Sequence, residues 1–360
     1  MHRARSFNRL PPLDEAMSTF ATTPSLAPPP PTERPLYLYG AGNLGKLARE
    51  FLSAVGREPA GIFERSDPIP DAGARVAVSV VTSPYVTIKR SLAARGCADV
   101  VPFYDLAESL RGRHPLGNGW FADPPTADDQ REIAGVHAGW DDDVSRAHHL
   151  QFIAWRRLRE EWTFARAPVS TERYFIPEVV EALRDRETFL DGGAYHGDVL
   201  LMFAAKVAGF RVIAVEPDTA NRAVLAESLL GIARAEVLDC ALAAEDGAAA
   251  FSEGYGLASK LSAFGQVKVS TRSIDSLDVE PTFIKLHLEG GELDALRGAR
   301  ETLRAQRPIV TATVYHNADG LWRTASWLMH ELDYYRFLFR NHCWCAAGAV
   351  VYAIPRERRQ

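Results

Sequence analysis

ETFLDGGAYHGD (187–198), VLLMFAAKVAGF (199–210) and RVIAVEP (211–217) follow one another without a break. Two short apolar runs rich in β-formers flank a segment of helical length, which is the pattern of a parallel βαβ unit. The glycine-rich turn between the first strand and the helix falls at the carboxyl end of the sheet, where open α/β sheets hold ligands.

The turn reads Asp191-Gly192-Gly193-Ala194-Tyr195-His196-Gly197, an acidic-x-Gly-x-x-x-Gly spacing rather than Gly-x-Gly-x-x-Gly. A dinucleotide would bring a pyrophosphate here, and the Asp191 carboxylate would repel it. A ligand bearing an ammonium and a sulfonium, such as S-adenosylmethionine, would be attracted instead. Gly193 and Gly197 let the backbone approach a ligand, Tyr195 lies inside the turn, and Asp198 reads as the helix N-cap. Glu216 ends the second strand at about the twenty-residue distance where Rossmann-type sites set an acid on the ribose hydroxyls.

A chain of 360 residues, 47% hydrophobic, can bury a sizeable core and is expected to form two domains. Its net charge of −5 gives no electrostatic case for nucleic acid. Cys97, Cys240, Cys343 and Cys345 form no CxxC pair, so a reducing cytoplasm is the expected home. No apolar run reaches the ~18 residues of a membrane span, and the basic N-terminus lacks the apolar core of a secretory signal.

Residues 1–34 include PSLAPPPPTERP and little apolar periodicity, which predicts a disordered, proline-rich tail. Residues 35–110 alternate strand and helix as a smaller Rossmann-like α/β domain. Its LYLYGAGNLGKL places Gly40, Gly42 and Gly45 in a GxGxxG turn, and the next strand ends near Glu64. These four residues make a possible N-terminal nucleotide site. Residues 111–170 read as a loop and helical connector, in which Asp141-Asp142-Asp143 marks a helix start rather than a metal site.

From 171 onward the strand and helix alternation resumes. Asp239 and Cys240 end the third strand of this unit, a position that lies against the adenine in a class-I methyltransferase arrangement. AAAFSEG and VKVSTRSIDSL suggest an inserted hairpin, and YRFLFRNHCWCAAGAVVYAIP closes the chain with two strands and no helix between them. The expected fold is therefore α/β throughout: a C-terminal class-I methyltransferase sheet with an antiparallel final strand, a helical connector, and the smaller N-terminal domain.

FLDGGAYHGD, VIAVEPD, FIKLHLEGGELDALRGA and TATVYHNADGLW, followed by VVYAIP, together resemble the FkbM-type methyltransferases over most of residues 171–360. The resemblance implies a class-I S-adenosylmethionine fold and O-methylation, often of sugar or polyketide hydroxyls. It also implies that Asp191, Gly193, Gly197 and Glu216 occupy cofactor-binding motif positions. Where members commonly read I-K-I-D-x-E-G, this chain has Ile284-Lys285-Leu286-His287-Leu288-Glu289-Gly290, with histidine for aspartate.

An alcohol needs a base, or a metal that lowers its pKa, before its oxygen can take a methyl group. His287 and Glu289, two apart on a strand, would share a face, which makes His287 the candidate base, Glu289 its orienter and His316 a second candidate. Two histidines and a carboxylate also suit a divalent ion, but their spacing does not demand one, and no metal is assigned. The expected function is S-adenosylmethionine-dependent O-methylation of a small-molecule or glycan hydroxyl, in a saccharide or secondary metabolite. The alternatives are an NAD- or nucleotide-sugar-binding enzyme using the N-terminal turn, and a non-catalytic cofactor-binding scaffold. Oligomeric state is not legible in the sequence.

Overall fold

The computed structural model describes residues 2–116, 119–168 and 172–358. In chain order, β1 (Arg3–Ser6) and α1 (Leu13–Thr22) lead into β2 (Leu36–Tyr39), α2 (Asn43–Ala54), β3 (Gly61–Phe63), β4 (Arg75–Val78), α3 (Tyr85–Ala94), β5 (Asp99–Pro102) and α4 (Phe103–Ser109). The strands β3-β2-β4-β5 lie side by side, all parallel, in that order.

Residues 2–34 are ordered, contrary to the expectation of a disordered tail. α1 buries Ala16, Met17 and Phe20, and the Phe20 ring packs 5.2 Å from that of Trp162. β1 pairs in parallel with β6 (Glu160–Thr163). The partner that holds the segment lies more than 150 residues away, so local periodicity gives no sign of it.

The connector holds α5 (Ala127–Gly139) and α6 (Asp143–Leu158). Thr126 and Asp129 form a reciprocal capping box on α5, and Asp142 caps α6 by accepting from the Ser145 N–H. The expected boundary between residues 170 and 171 lies outside the described residues. Almost every side chain of α6 from Ala147 to Leu158 is buried, including Arg156 and two adjacent histidines. His148 donates from Nε2 to the Arg166 carbonyl (2.9 Å) and accepts the Asn341 N–H at Nδ1 (2.9 Å). His149 donates from Nε2 to the Leu321 carbonyl at 2.7 Å, and its Nδ1 has no partner among the described residues.

Burial lowers these two imidazoles from the usual 6.5 to about 4 for His148 and about 3 for His149. The fold binds their neutral forms, so the stabilisation is complete above about pH 6.5 and is lost as pH falls toward the folded values. By about pH 5 each histidine is expected to cost on the order of 2 kcal/mol. Urea denaturation at about pH 7.5 and about pH 5 checks this; an unchanged midpoint would contradict it.

The C-terminal unit continues with α7 (Pro177–Ala182), β7 (Thr188–Gly192), α8 (Asp198–Ala204), β8 (Arg211–Val215), α9 (Thr219–Ser228) and β9 (Ala235–Leu238). A small inserted sheet follows, of β10 (Ala241–Leu242), β11 (Gly247–Ser252), β12 (Lys260–Leu261) and β13 (Val267–Arg272). Then come β14 (Phe283–Leu286), α10 (Glu292–Arg297), α11 (Arg300–Gln306), β15 (Ile309–Thr313), α12 (Arg323–Glu331), β16 (Tyr335–Asn341) and β17 (Ala349–Pro355). The main sheet runs β16-β17-β15-β14-β7-β8-β9. β17 is antiparallel to both of its neighbours and the other pairings are parallel, so the final strand is the inverted one. β14 and β7 stand at the centre of the sheet, and their carboxyl ends meet there.

Candidate active site

Gly193 is where the two central strands require the absence of a side chain. Its φ is +73°, and a Cβ there would lie 2.1 Å from the His287 carbonyl oxygen. The turn after β7 is thus pressed against the end of β14, which brings the glycine loop and His287 together. Tyr195, also left-handed at φ 51°, turns its N–H onto Glu216 Oε2 at 2.8 Å. The Asp218 N–H reaches the other oxygen, Oε1, at 3.0 Å. Glu216 is almost fully buried, which raises its pKa despite those two donors.

Gly193, Tyr195, Glu216, Cys240 and Leu242 line a partly open cavity. Val215, Leu257 and Leu261 supply apolar wall. A carboxylate fixed by two backbone donors retains lone pairs for ribose hydroxyls, and an apolar slot beside it suits a flat purine, so this donor set fits S-adenosylmethionine.

Three residues expected to contact the cofactor lie outside the cavity lining. Asp191 does not face the cavity: it is fully buried and pairs with Lys285 Nζ at 2.7 Å. Burial raises its pKa, and Lys285 opposes that shift. The cause is strand register, which sets Lys285 directly across from Asp191 between β14 and β7. Asp239 is largely exposed and binds Arg222 at 2.7 Å, leaving its neighbour Cys240 in the wall. Gly197, not Asp198, is the N-cap of α8, and a Cβ there would lie 3.1 Å from a Leu225 methyl, so the glycine lets the helix pack closely.

His287, Glu289 and His316 come together beside the cavity. Glu289 Oε1 lies 3.2 Å from His287 Nε2 and 3.4 Å from His316 Nε2. The two imidazoles stack, with centroids 5.1 Å apart. Glu289 holds a left-handed φ of 52°, a strained conformation of the kind that gathers at functional sites. Burial lowers His287 to about 4, against the pull of Glu289, so the imidazole is neutral at neutral pH. Burial alone would raise Glu289, but His316 and His287 hold it below the usual range.

Several partners of this cluster were not expected from sequence. Tyr174 Oη lies 2.8 Å from His287 Nδ1, and Tyr315 Oη lies 3.1 Å from Nε2. Glu292 Oε1 lies 3.3 Å from His316 Nδ1 and accepts from Thr313 Oγ1 (2.7 Å) and the Leu288 N–H (2.9 Å). Burial would raise Glu292, yet His316 and these donors bring it down to about 2. From the connector, the buried Arg156 donates to the carbonyls of Tyr315 and Asn317, both at 2.8 Å, and so holds the loop that presents His316. Glu292 sits in the EGGELD stretch, where a local motif draws attention to it; Tyr174 and Arg156 give no such signal.

A second, larger cleft of ≈ 1500 Å³ opens on the other side of the cluster. Its walls include Gly40, Gly42 and Glu64 of the N-terminal domain, together with Arg173, Tyr315 and His316. Leu257, His287 and Glu289 border both spaces. The GxGxxG turn therefore shares a cleft with the His287, Glu289 and His316 cluster, while Gly40 and Glu64 also border a separate space of the N-terminal domain with Tyr39, Arg65 and Val80. Gly45 is required by packing, since its Cβ would lie 2.1 Å from the Gly40 carbonyl, whereas a Cβ at Gly42 meets nothing within 4 Å.

A seven-stranded sheet of this order, with an acid-bearing cavity at the carboxyl ends of its central strands, is the fold of S-adenosylmethionine-dependent methyltransferases. Residues 191–340 match the model of the methyltransferase FkbM domain. The crystal structure of methyltransferase FkbM from Methylobacillus flagellatus KT is similar at a TM-score of 0.62 and 19% identity, over 95% of this chain and 98% of that one. That coverage extends the shared fold to the N-terminal domain. A precorrin-6y C5,15-methyltransferase from Geobacter metallireducens GS-15 aligns at 12% identity and a TM-score of 0.33, over 52% of this chain and 94% of its own. A SAM-dependent methyltransferase from Aquifex aeolicus aligns at 17% identity and a TM-score of 0.32, over 50% and 90%. No curated protein matches the sequence. Among the described residues no helix is long and apolar enough to cross a membrane.

Proposed function

We propose that the protein transfers a methyl group from S-adenosylmethionine to a hydroxyl of a saccharide or secondary metabolite held in the larger cleft. The observation behind this reading is that His287 and Glu289 border both the cofactor cavity and that cleft. Bound S-adenosylmethionine supplies an electrophilic methyl on its sulfonium. Gly193, Tyr195, Glu216 and Cys240 hold it, and the apolar wall excludes water from its adenine side. In the metal-free protein His287 Nε2 takes the acceptor proton, and Glu289 Oε1, 3.2 Å away, stabilises the imidazolium that results. Tyr174 at Nδ1 fixes the ring orientation. His316, held through Nδ1 by Glu292, keeps the Glu289 carboxylate in place from the other side.

Calorimetry of S-adenosylhomocysteine tests the cofactor assignment. Glu216→Ala is expected to weaken binding about ten- to hundredfold, the equivalent of a charged hydrogen bond, with Glu216→Gln in between. Equal affinity in all three proteins would remove Glu216 from the site. Methyl transfer from labelled S-adenosylmethionine to a panel of saccharides and polyols then tests the acceptor class; transfer confined to amines or thiols would overturn it.

The acceptor also meets the N-terminal turn in this reading. Gly42→Asp places a favoured N-cap residue on α2, so thermal stability is expected to hold or rise slightly. The added side chain projects toward the cleft and is expected to raise the acceptor KM several-fold, with S-adenosylhomocysteine affinity unchanged. An unchanged KM would place the acceptor away from this turn.

A further inference from the structure

The cluster between the two cavities has the features of a metal-ligand set. Glu289 Oε1 lies 3.2 Å and 3.4 Å from the Nε2 atoms of His287 and His316, and the three ligand atoms all fall within 4.8 Å of one another. Bonds of about 2.1 Å to one ion separate neighbouring ligand atoms by about 3.0 Å in octahedral and about 3.4 Å in tetrahedral geometry. The two measured separations fall in that range.

What lies behind the ligands points the same way. A metal-bound imidazole typically presents one nitrogen to the ion and gives its other N–H to a carboxylate, hydroxyl or carbonyl. His316 does this with Glu292 at 3.3 Å, and His287 with the Tyr174 hydroxyl at 2.8 Å. Both rings thus turn Nε2 to the same point, and Glu289 is held there in a left-handed backbone conformation. Two carboxylates, the partly buried Glu289 and the buried Glu292, lie against these imidazoles, an arrangement that favours a cation. His287 and Glu289 also border the acceptor cleft, which leaves coordination positions open toward a substrate.

From this geometry we infer that His287, Glu289 and His316 hold one divalent first-row transition ion, with open positions that bind oxygens of the acceptor. The inference rests on the reading of the large cleft as the acceptor site. Two imidazoles and one carboxylate suit zinc, iron, cobalt or manganese better than magnesium or calcium, which prefer all-oxygen sets. With the ion present His287 Nε2 is a ligand rather than a base. The coordinated hydroxyl then loses its proton to water in the cleft, because its pKa is lowered by the ion.

The test uses the full chain, stripped of metal, titrated with Zn²⁺ by calorimetry and with Co²⁺ by visible absorption, with S-adenosylhomocysteine titrated in parallel. One ion per chain is expected, with Co²⁺ ligand-field bands that require histidine ligation. Glu289→Ala and His316→Ala are each expected to weaken Zn²⁺ binding more than tenfold, and Tyr174→Phe, which keeps the ring in the core, about tenfold. Retained S-adenosylhomocysteine affinity in these variants shows that they are folded. No saturable binding, or equal Zn²⁺ affinity in all of the variants, overturns the metal site. If the stripped protein still transfers methyl to hydroxyls, the metal inference falls and the proposed function stands. If Zn²⁺ binds as described but no hydroxyl acceptor is methylated, the proposed function falls and the site remains.

Discussion

Lys285→Met is expected to lower the unfolding free energy by about 3–5 kcal/mol, the cost of leaving one member of a buried ion pair without its partner. Lys285 is 2% exposed and Asp191 is fully buried, with 2.7 Å between Nζ and the carboxylate. The ammonium also donates to the Gly193 carbonyl at 2.8 Å and lies 5.4 Å from the centroid of the Tyr174 ring. Methionine keeps most of the stem and removes all of this. Asp191 then stands charged in an apolar interior, or is protonated at the cost of its raised pKa. Adding Asp191→Asn removes the stranded charge and is expected to recover a large part of the loss. Urea denaturation of the wild type, both single variants and the double variant gives the coupling directly. If the double variant is no more stable than Lys285→Met, the two groups do not compensate each other as described.

His287→Phe is the second large effect. It keeps an aromatic ring among Tyr174, Tyr315 and His316 but removes both nitrogens. kcat is expected to fall by about 10²–10⁴-fold, the usual worth of a positioned proton acceptor. The S-adenosylhomocysteine Kd is expected to stay within about twofold of wild type, because the cofactor is held on the far wall by Glu216 and Tyr195. Single-turnover methyl transfer beside calorimetry separates the two quantities. A matching loss of cofactor affinity would make His287 a binding residue and move the chemistry elsewhere. The phenylalanine variant also cannot ligate an ion, so it does not by itself choose between a proton on Nε2 and a metal there; the Zn²⁺ titration does.

The strands and helices around 187–217 were legible because period and turn chemistry are local properties. The same is true of the terminal pair of strands, whose lack of an intervening helix forces an antiparallel return. Glu216 was legible for a related reason, since its place at the end of β8 follows from the length of one βα unit. Asp191 was misread because its meaning depends on which residue of β14 stands opposite, and register between strands about ninety residues apart leaves no trace in either. Lys285 was visible in the sequence, but not as a counter-ion. Asp239 and Cys240 show the same limit on a smaller scale: one residue of difference at a strand end decides which side chain turns inward. Tyr174, Glu292 and Arg156 reach the site from three separate segments, and only the folded chain brings them to His287 and His316. The ordered N-terminal segment was missed because β1 takes its hydrogen bonds from β6, while composition reports only what a segment can bury against itself.

Leu257, His287 and Glu289 border both spaces, which in the proposed reading hold the cofactor on one side and the acceptor on the other. Two chambers with one common wall impose no order of arrival: neither substrate has to cross the other's space. In the proposed reading the methylated product can depart while S-adenosylhomocysteine stays, or the reverse, so a random sequential scheme is expected. Of the three residues, Leu257 alone has no part in the chemistry. It belongs to the inserted hairpin region and is among the exposed large apolar side chains. In the proposed reading, exchanging Leu257 is therefore expected to change the shape of the space shared by the two chambers without touching the groups that react.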